Sequence, residues 1–527
     1  MENKYPPGIF NDVLGPVMRG PSSSHTAGSH RIGNVIRQLA GPEIIRADFH
    51  FHPRGSLATT YHTQGSDIGL AAGIIDMKIT DPLLPESLKI ARQNGIEINF
   101  NITEYPAEHP NTYLCVFENS RGEKFKLKAL STGGGIIEII SYQDFEFSVL
   151  MDLPVLFAAG SMDDITEWWN ESEKHSSFMD QVSRQLIKSE GDKSLLIVEF
   201  RLMDPEIPED GPAGAYYKLI NPVYPSLGYT GSLLPFRLAS ELEQMEDIDG
   251  RTLASHGLEY ESMRSGMSQE DIREKAGELV DIFRESIETG LAGTRYKDRI
   301  VHSQSPQFQE NIRKGKLLPS GPLNRITAYI MAIMESKSAM EVIVAAPTAG
   351  AAGGLPGAIL GMAEEIGSTR EEIIEAFIAA GLAGVFIAAD ATFAAEVAGC
   401  QAETGAGAAM AAAGLVDLAG GNARQALAAA SLALQNIMGL VCDPVANRVE
   451  IPCLGRNVNS AANALVSANM VLGGFDPLIP FSESIRTMLE VGRSMPRELR
   501  CTALGGLSIT KTAKEIEKKL ESRRNEN

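Results

Sequence analysis

The chain has 527 residues, of which 44% are hydrophobic and 22% are charged, and its formal net charge at pH 7 is −20. This length predicts two to four domains, and the acidic excess argues against nucleic acid and anionic membrane surfaces as partners. Five cysteines without a regular spacing argue against a secreted disulfide scaffold. The first residues contain no apolar segment typical of a signal peptide, so we expect a cytoplasmic protein.

The N-terminal part reads as α+β. Short β-branched or aromatic segments, some of them alternating in polarity, predict strands. These strands are expected at residues 45–52, 96–103, 112–118, 124–130 and 145–150. Helical patterns lie between them at residues 30–39 and 67–75. The prediction is an α+β domain over residues 1–155.

Residues 156–300 form a connecting region of mixed character. A surface helix is expected to start near Trp168, residues 204–214 read as a Pro-rich acidic loop, and residues 269–290 read as an amphipathic helix.

The remaining residues, 301–527, predict an all-α domain. They are rich in Ala, Gly, Leu and Met, and Ser368 with Glu371 reads as a capping box that opens a long helix. Gly381 and Gly384 in that helix predict close approach of a neighbouring element. The apolar run 373–395 is the nearest approach to a membrane span, but its Ala and Gly content favours a packed helix, so no membrane is expected. Further helices are expected at residues 323–340, 408–413, 423–436, 460–472, 482–491 and 511–523.

Three cysteines in the helical part lie in turn-like contexts that present a side chain. Cys400 follows Gly, Cys442 precedes Asp-Pro, and Cys453 follows Pro. Three thiolates are one fewer than the four that close a tetrahedral zinc or an ordinary iron–sulfur site, so a metal or cluster held by them keeps a position open for Lewis-acid chemistry. The alternative is that each is a small buried hydrophobe. Cys115, inside a predicted strand, fits that alternative, and Cys501 is ambiguous.

Two polar segments precede predicted helices. Residues 20–30 contain Ser22, Ser23, Ser24, His25 and Thr26, and residues 55–67 contain His62. Hydroxyl groups at a helix N-terminus suit a carboxylate, and a histidine there can bind or transfer a proton. The simpler interpretation of both segments is a turn with helix caps.

Two glycine-rich turns, at residues 131–135 and 346–357, match neither a Walker loop nor a dinucleotide fingerprint. They are better interpreted as places where the backbone comes close to a substrate or cluster.

These segments together resemble the iron–sulfur-dependent bacterial L-serine dehydratases, with the β-type portion first and the α-type portion second. The resemblance rests on residues 20–28 and 55–67, on residues 346–359, and on the contexts of Cys442 and Cys453 with Cys400. It covers about residues 8–150 and 265–515 and implies a multidomain protein: an α+β substrate-binding domain, a connecting region, and an all-α domain that carries the cluster cysteines.

The resemblance implies a [4Fe–4S] cluster held by Cys400, Cys442 and Cys453, with one iron free for the substrate hydroxyl. It further implies that the substrate carboxylate is bound by Ser22, Ser23, Ser24, His25 and Thr26, with Thr348 and Gly350 nearby. The base is expected to be His25 or His62. The chain departs from the family pattern at Asn447, where Gly is usual, and at Gly455, where a charged residue is usual.

The expected reaction is removal of water from a small hydroxymethyl carboxylate, with L-serine as first choice and pyruvate and ammonia as products. The alternative substrate is 2-(hydroxymethyl)glutarate, which shares the hydroxymethyl carboxylate unit. A protein of another class, with a structural metal or an electron-transfer role, is the second hypothesis. A pyridoxal-phosphate enzyme is disfavoured because the lysines lie mostly in charged surface contexts. We expect a homo-oligomer, a dimer, in which the two domains of the site face each other across a cleft.

Overall fold

The computed structural model describes residues 5–41, 43–229 and 231–525. Sheets dominate the N-terminal part of the described chain and helices dominate the C-terminal part, which confirms the predicted contrast between the two. The N-terminal part contains β1 (Val17–Met18), α1 (Gly28–Ala40), β2 (Ile44–Phe51), α2 (Leu57–Thr60), α3 (Ser66–Ile74), α4 (Ser87–Gln93), β3 (Glu97–Ile102), β4 (Thr112–Asn119), β5 (Lys124–Gly133), β6 (Ile136–Tyr142) and β7 (Phe145–Val149).

The first sheet has six strands in the order β3-β2-β4-β5-β6-β7. Its one parallel pair is β2 with β3, and its other neighbours are antiparallel. The alternation in the sequence explains the layer: along β5, Phe125, Leu127 and Ala129 point into the core while the lysines between them are more exposed. The five predicted strands all belong to this sheet, and β6 is a strand that was not predicted.

Helices α1 and α3 cover this sheet and lie unusually close to each other. A Cβ atom on Gly73 would lie 2.2 Å from the carbonyl oxygen of His30, and one on Gly33 would lie 2.4 Å from that of Leu70. The missing side chains therefore let the two backbones touch. This contact fixes the start of α1, which follows the Ser-His segment.

The middle of the chain forms a second, smaller sheet. Its four strands are β8 (Val155–Ser161), β9 (Val182–Glu190), β10 (Lys193–Phe200) and β11 (Tyr216–Ile220). Two helices, α5 (Met162–Ser172) and α6 (Ser176–Met179), lie between β8 and β9 in the chain. The strand order is β11-β8-β10-β9, all antiparallel, and Leu156, Ile165 and Trp169 belong to a separate core on one face.

The helix expected to start near Trp168 starts earlier, at Met162. The Ser161 side chain accepts a hydrogen bond from the Asp164 N–H group and so caps α5 before the tryptophans. The predicted loop 204–214 contains no helix or strand.

The C-terminal part is built from helices that pack around a large apolar core. Its elements are α7 (Ala239–Glu243), α8 (Leu253–Ser265), α9 (Gln269–Ala292), α10 (Ser305–Arg313), α11 (Leu323–Ser338), β12 (Ile343–Val344), α12 (Gly354–Ile366), α13 (Arg370–Asp390), α14 (Ala395–Ala398), α15 (Thr404–Leu418), α16 (Ala423–Gln435), α17 (Cys453–Leu472), α18 (Phe481–Ser494) and α19 (Lys511–Asn525). Short π-helical turns occur at Ile9–Val13 and Ser23–Ala27, and short 3₁₀ turns at Leu84–Glu86, Ile248–Gly250, Ala349–Ala351, Cys400–Ala402, Val445–Asn447, Arg497–Leu499 and Gly506–Ile509.

The N-cap residue of the long helix α13 lies one position later than the sequence predicts. Thr369, not Ser368, is the cap, and its hydroxyl and backbone exchange hydrogen bonds with Glu372. By length and composition α13 could cross a bilayer, but 78% of its apolar window is buried inside the fold. Most of its apolar surface therefore packs inside the fold.

The N-terminal segment crosses to the helical part before the first sheet begins. Cβ atoms on Gly381 and Gly384 of α13 would lie 2.7 Å from Ile9 and 2.2 Å from Val13, so these glycines admit the first π-helical turn, as the sequence predicts for a neighbouring element. Strand β1 pairs antiparallel with β12, more than 300 residues later. The two parts of the chain are thus joined by a shared ribbon.

A buried ion pair anchors the same segment to α8. The Arg264 guanidinium lies 3.2 Å from Glu261 and donates to the Pro6 carbonyl at 2.9 Å, while Glu261 accepts from the Ile9 N–H group at 2.8 Å. Burial raises the pKa of the neighbouring Asp152 to about 6, against the opposing effect of Arg264.

Candidate functional site

The Ser-His segment forms the π-helical turn that leads into α1, and His25 lies at its centre. The His25 side chain is fully buried. Its Nδ1 atom lies 3.1 Å from the hydroxyl oxygens of both Ser22 and Ser24, and its Nε2 atom lies 2.8 Å from the Thr60 hydroxyl. Burial lowers the pKa of His25, and the Glu396 carboxylate partly opposes that shift. The ring is therefore held in one orientation by three hydroxyl groups.

Glu396 brings the helical part of the chain to this turn. Its Oε1 atom lies 3.8 Å from His25 Nδ1 and accepts a hydrogen bond from the Ser24 hydroxyl at 3.4 Å. It belongs to α14 and stands four residues before Cys400. The His25 turn and the element before the first candidate cysteine therefore meet at one interface.

The other hydroxyl groups of this turn make contacts within the protein. Ser23 accepts a hydrogen bond from the Ala349 N–H group at 3.2 Å, and Thr26 donates to the Gln64 carbonyl at 2.9 Å. Both side chains are buried. They join the turn to its neighbours and so fix the positions of Ser22 and Ser24.

The second polar segment lies against the loop that follows Cys442. Asn447 and Arg448 donate to the backbone carbonyls of Thr59 and Thr63, each at 3.3 Å. The His62 side chain is half-exposed and its Nδ1 atom makes a short contact with the buried Asp67 carboxylate. The structure thus places both candidate histidines on the side of the N-terminal part that faces the helices, with His25 buried and His62 close to solvent.

The two glycine-rich turns meet each other at the same interface. A Cβ atom on Gly133 would lie 2.9 Å from the Ala394 backbone nitrogen, and one on Gly134 would lie 3.3 Å from the Pro347 carbonyl oxygen. Both glycines have positive φ angles, +119° and +62°. Close backbone approach is therefore observed, to Ala394 before α14 and to Pro347 in the other turn, whereas the predicted approach to a substrate or cluster stays a prediction.

Thr348 and Gly350 belong to the second of these turns and contact Glu403. The Thr348 hydroxyl donates to Glu403 Oε1 at 2.7 Å, and a Cβ atom on Gly350 would lie 2.8 Å from the same oxygen. Burial raises the pKa of Glu403 to about 7, while the bond from Thr348 acts in the opposite direction. The carboxyl group occupies the space next to both predicted substrate-binding residues.

The three candidate cysteines come from three separate places in the helical part. Cys400 starts a 3₁₀ turn after α14, Cys442 lies in the loop after α16, and Cys453 starts α17. All three are buried, and none forms a disulfide. Cys400 interacts electrostatically with each of the other two. The fold therefore brings Cys400 near both Cys442 and Cys453 although 42 or more residues separate it from them.

Cys501 is a fourth thiol beside these cysteines. The Cys501 N–H group donates to the Cys442 carbonyl at 3.0 Å, and Cys501 packs in one apolar cluster with Cys400 and Cys442. A hydrogen bond to Cys501, followed by burial, raises the pKa of the Cys442 thiol. By contrast, Cys115 is buried among the apolar residues of the first sheet, as the hydrophobe interpretation of that residue predicts.

Two cations accompany the thiols. Lys337 on α11 is fully buried, its Nζ contacts the Val449 carbonyl, and it interacts electrostatically with Cys453. Arg456 interacts with Cys400 and Cys453 and donates to Asp443 at 2.7 Å. The expectation that the lysines lie mostly in charged surface contexts therefore misses Lys337. Its ammonium group is engaged by a backbone carbonyl.

The buried thiols are soft ligands of the kind that an iron–sulfur cluster uses. Among the described residues, no group of three His, Cys, Asp or Glu side chains is arranged to hold one metal ion. A cubane joins sulfur ligands that lie farther apart than the ligands of a zinc ion, and soft thiolates are its usual ligands. Burial raises the pKa of Cys400 to about 11, and nearby cations favour the thiolate. The structural-zinc interpretation gains no support from the described side chains.

A cavity of about 230 Å³ opens at the interface between the two parts of the chain. Its wall includes Gly133, His109, Phe393 and Val397, so it adjoins the residue after Glu396. A larger cavity of about 780 Å³ lies elsewhere, next to α16 and the loop 474–480, and contains none of the candidate residues. The lining of the smaller cavity likewise contains none of the candidate site residues, although it lies at the interface between the two parts.

Sequence reasoning missed Glu396, Glu403 and Lys337. Glu396 and Glu403 lie four residues before and three residues after Cys400, which is a signal that could have been used. Lys337 carries no such signal, because only its burial distinguishes it from the other lysines.

The fold and this interface define a class: an enzyme of two joined portions, with a histidine-bearing turn on one and a set of buried thiols on the other. The family described as serine dehydratase alpha chain matches residues 238–508. A probable L-serine dehydratase alpha chain from Bacillus subtilis is 39% identical over 254 residues, which is 48% of this chain and 84% of that protein. The L-serine dehydratase alpha chain of Peptoniphilus asaccharolyticus is 38% identical, over 49% of this chain and 89% of its own length.

A probable L-serine dehydratase beta chain of Bacillus subtilis is also similar, with 39% identity over 28% of this chain and 64% of its own length. The chain belongs to the bacterial L-serine dehydratase family of lyases, and it carries the β and α portions in one polypeptide. This confirms the resemblance drawn from the sequence motifs.

Proposed function

We propose that this protein is a [4Fe–4S]-dependent L-serine dehydratase that converts L-serine to pyruvate and ammonia. The observation that supports this most is the contact between the His25 turn and Glu396, four residues before Cys400. This contact supports a site in which His25 and the thiols adjoin one interface and act on one small substrate.

We propose Cys400, Cys442 and Cys453 as the ligands of the cluster. When bound, such a cluster supplies a Lewis-acidic iron for the substrate hydroxyl. Lys337 and Arg456 offset the negative charge of the thiolates, which lowers the cost of burying them. Cys501 packs with Cys400 and Cys442. It is left out of this set because the family resemblance assigns the three ligand positions to Cys400, Cys442 and Cys453.

The N-terminal portion binds the substrate carboxylate and moves the proton. The Ser22 and Ser24 hydroxyl groups, together with N–H groups of the turn, offer donors to an anion. His25 accepts the Cα proton, and its lowered pKa keeps it neutral near pH 7. Ser23 and Thr26 keep these groups in place through their bonds to Ala349 and Gln64, while Thr348 and Gly350 lie against Glu403. Loss of the proton and the hydroxyl as water leaves an enamine, which hydrolyses to pyruvate and ammonia.

Asn447 supports an amino acid as the substrate. Its amide Oδ1 is buried and has no hydrogen-bond partner among the described residues, while its Nδ2 bonds to Thr59 in the second polar segment. A free acceptor suits an ammonium group, which 2-(hydroxymethyl)glutarate lacks. Asn447→Ala should therefore raise KM for L-serine more than it lowers kcat.

We further propose that the protein is a homodimer of the cytoplasm. A dimer has twice the 56.7 kDa mass of one chain. Light scattering coupled to size-exclusion chromatography would measure this mass, and a mass of one chain at micromolar concentration would contradict the proposal.

The test of function uses protein purified and reconstituted with iron and sulfide without oxygen. Pyruvate and ammonia should form from L-serine in equal amounts, and the protein should show the brown colour of a cubane cluster. Water loss from 2-(hydroxymethyl)glutarate serves as the competing reaction. Turnover of that acid without turnover of L-serine would reject the proposed substrate, and a colourless protein that binds zinc would reject the proposed cofactor.

His62 is the competing candidate for the base. His25→Ala should abolish turnover and keep the brown colour, whereas His62→Ala should keep most of the turnover. The reverse result would move the proton transfer to His62.

A further inference from the structure

The hydrogen bonds of His25 determine which ring nitrogen accepts a proton. The Thr60 hydroxyl donates its single hydrogen to the Ser56 carbonyl at 2.7 Å. It therefore accepts at the 2.8 Å contact with His25 Nε2, so Nε2 carries the hydrogen. In the neutral ring the lone pair is then on Nδ1.

Nδ1 is the atom that faces the helical portion. The Ser22 and Ser24 hydroxyl oxygens each lie 3.1 Å from it. The Ser22 hydroxyl can donate to it, whereas the Ser24 hydroxyl donates its single hydrogen to Glu396. The Glu396 carboxylate lies 3.8 Å away, with only 4% of its side chain exposed. The basic nitrogen is therefore on the side from which a substrate at the interface would approach.

We propose that Glu396 is a positioning residue that acts through His25: it holds the ring with Nδ1 toward the interface and stabilises the imidazolium that forms when Nδ1 takes a proton. This inference rests on the proposed role of His25 as the base. A buried imidazolium without a counter-ion is unfavourable, and a carboxylate within about 4 Å offsets that cost. The Ser24 hydroxyl, which lies between the two groups, couples their positions.

Glu396 raises the pKa of His25 against the lowering effect of burial. Glu396 itself also acts on His109, Tyr113 and Glu403. Replacement of Glu396 should therefore change His25 directly, and His109 in the same direction.

The test is nitrogen NMR of the full chain with labelled histidine, with His25 assigned by its absence from His25→Gln. In the native protein the neutral ring should show a protonated Nε2 and an unprotonated Nδ1. In Glu396→Gln the His25 pKa should fall by about 1 unit or more, as expected when an opposite charge within about 4–6 Å is removed. Glu396→Asp should restore part of the shift.

Glu365→Gln is the matched control, because Glu365 pairs with Arg325 on the surface and should leave the His25 pKa unchanged. An unchanged His25 pKa in Glu396→Gln, or a protonated Nδ1 in the native protein, would overturn the inference.

Steady-state kinetics of Glu396→Gln distinguish the positioning role of Glu396 from the proposed dehydratase activity. In Glu396→Gln the acidic limb of the kcat/KM profile should move with the NMR pKa, and kcat should fall while KM changes little. NMR requires no turnover, so a missing pKa shift overturns the role of Glu396 while L-serine turnover still supports the dehydratase. Full activity of His25→Ala would overturn both the base and its positioning by Glu396.

Discussion

His25 combines complete burial with an orientation fixed by hydrogen bonds. Burial lowers its pKa, and Glu396 limits the shift without cancelling it. An imidazole that is neutral near pH 7 can accept a proton there, as the proposed role of His25 requires.

The pKa of His25 predicts how stability depends on pH. Because the folded pKa lies below the unfolded value of about 6.5, the unfolded state binds more protons as the pH falls through that value. The free energy of unfolding should therefore decrease between pH 7.5 and 5.5, and it should decrease less in His25→Gln. Urea unfolding of both proteins at the two pH values measures this, and equal losses would contradict the prediction.

The cysteines give a second prediction at this scale. Cys400→Ser, Cys442→Ser and Cys453→Ser should each lose the bound iron and the activity together, since each removes one proposed ligand. Cys115→Ser is the control, because Cys115 is buried in the first sheet and should keep both. Iron content and the visible spectrum are the measurements. A variant of Cys400 that retains full iron would exclude it as a ligand.

The sequence identifies part of the candidate site because some side chains lie in informative local contexts. Ser22 to His25 stand before a helix, and Cys442 and Cys453 stand beside prolines, which are local patterns. Lys337 and Glu396 could not be assigned this way. Their roles depend on packing between residues hundreds of positions apart, such as the contact between Glu396 and His25.

At the scale of elements, strands with alternating polarity were predictable, and strands with uniform polarity were less so. Strand β5 alternates, whereas β8 and β10 are almost wholly buried and occur in a region of mixed composition. Continuous burial removes the period-two signal on which strand prediction depends. The one-residue shift of the cap of α13 shows a similar limit, since Ser368 and Thr369 are both good caps and only geometry selects between them.

Helix packing beneath the Ser-His turn gives the prediction at this scale. Gly73→Ala should destabilise the protein by about 1–3 kcal/mol, because the added methyl group would collide with the His30 carbonyl. Gly455→Ala is the control in another helix, since a Cβ there meets nothing within 4 Å and alanine favours helix. Thermal unfolding of the cluster-free proteins measures the difference. Equal stability of the two variants would show that α1 and α3 can separate without cost.

At the scale of the whole molecule, the N-terminal segment depends on the buried pair of Arg264 and Glu261. Arg264→Met should destabilise the protein by about 3–5 kcal/mol, because Glu261 would remain buried without its cation. The double variant Arg264→Met with Glu261→Gln should recover part of this loss. Urea unfolding measures both, and an equal or greater loss in the double variant would show that the pair is not the cause.

The ribbon between β1 and β12 has a consequence for how the two portions meet. Where the alpha and beta portions are separate polypeptides, any association between them is a second-order event that weakens on dilution. Here both portions belong to one polypeptide, so their association is intramolecular. The effective concentration of one portion for the other is then on the order of millimolar or more. Specific activity with L-serine should therefore stay constant from micromolar to nanomolar protein.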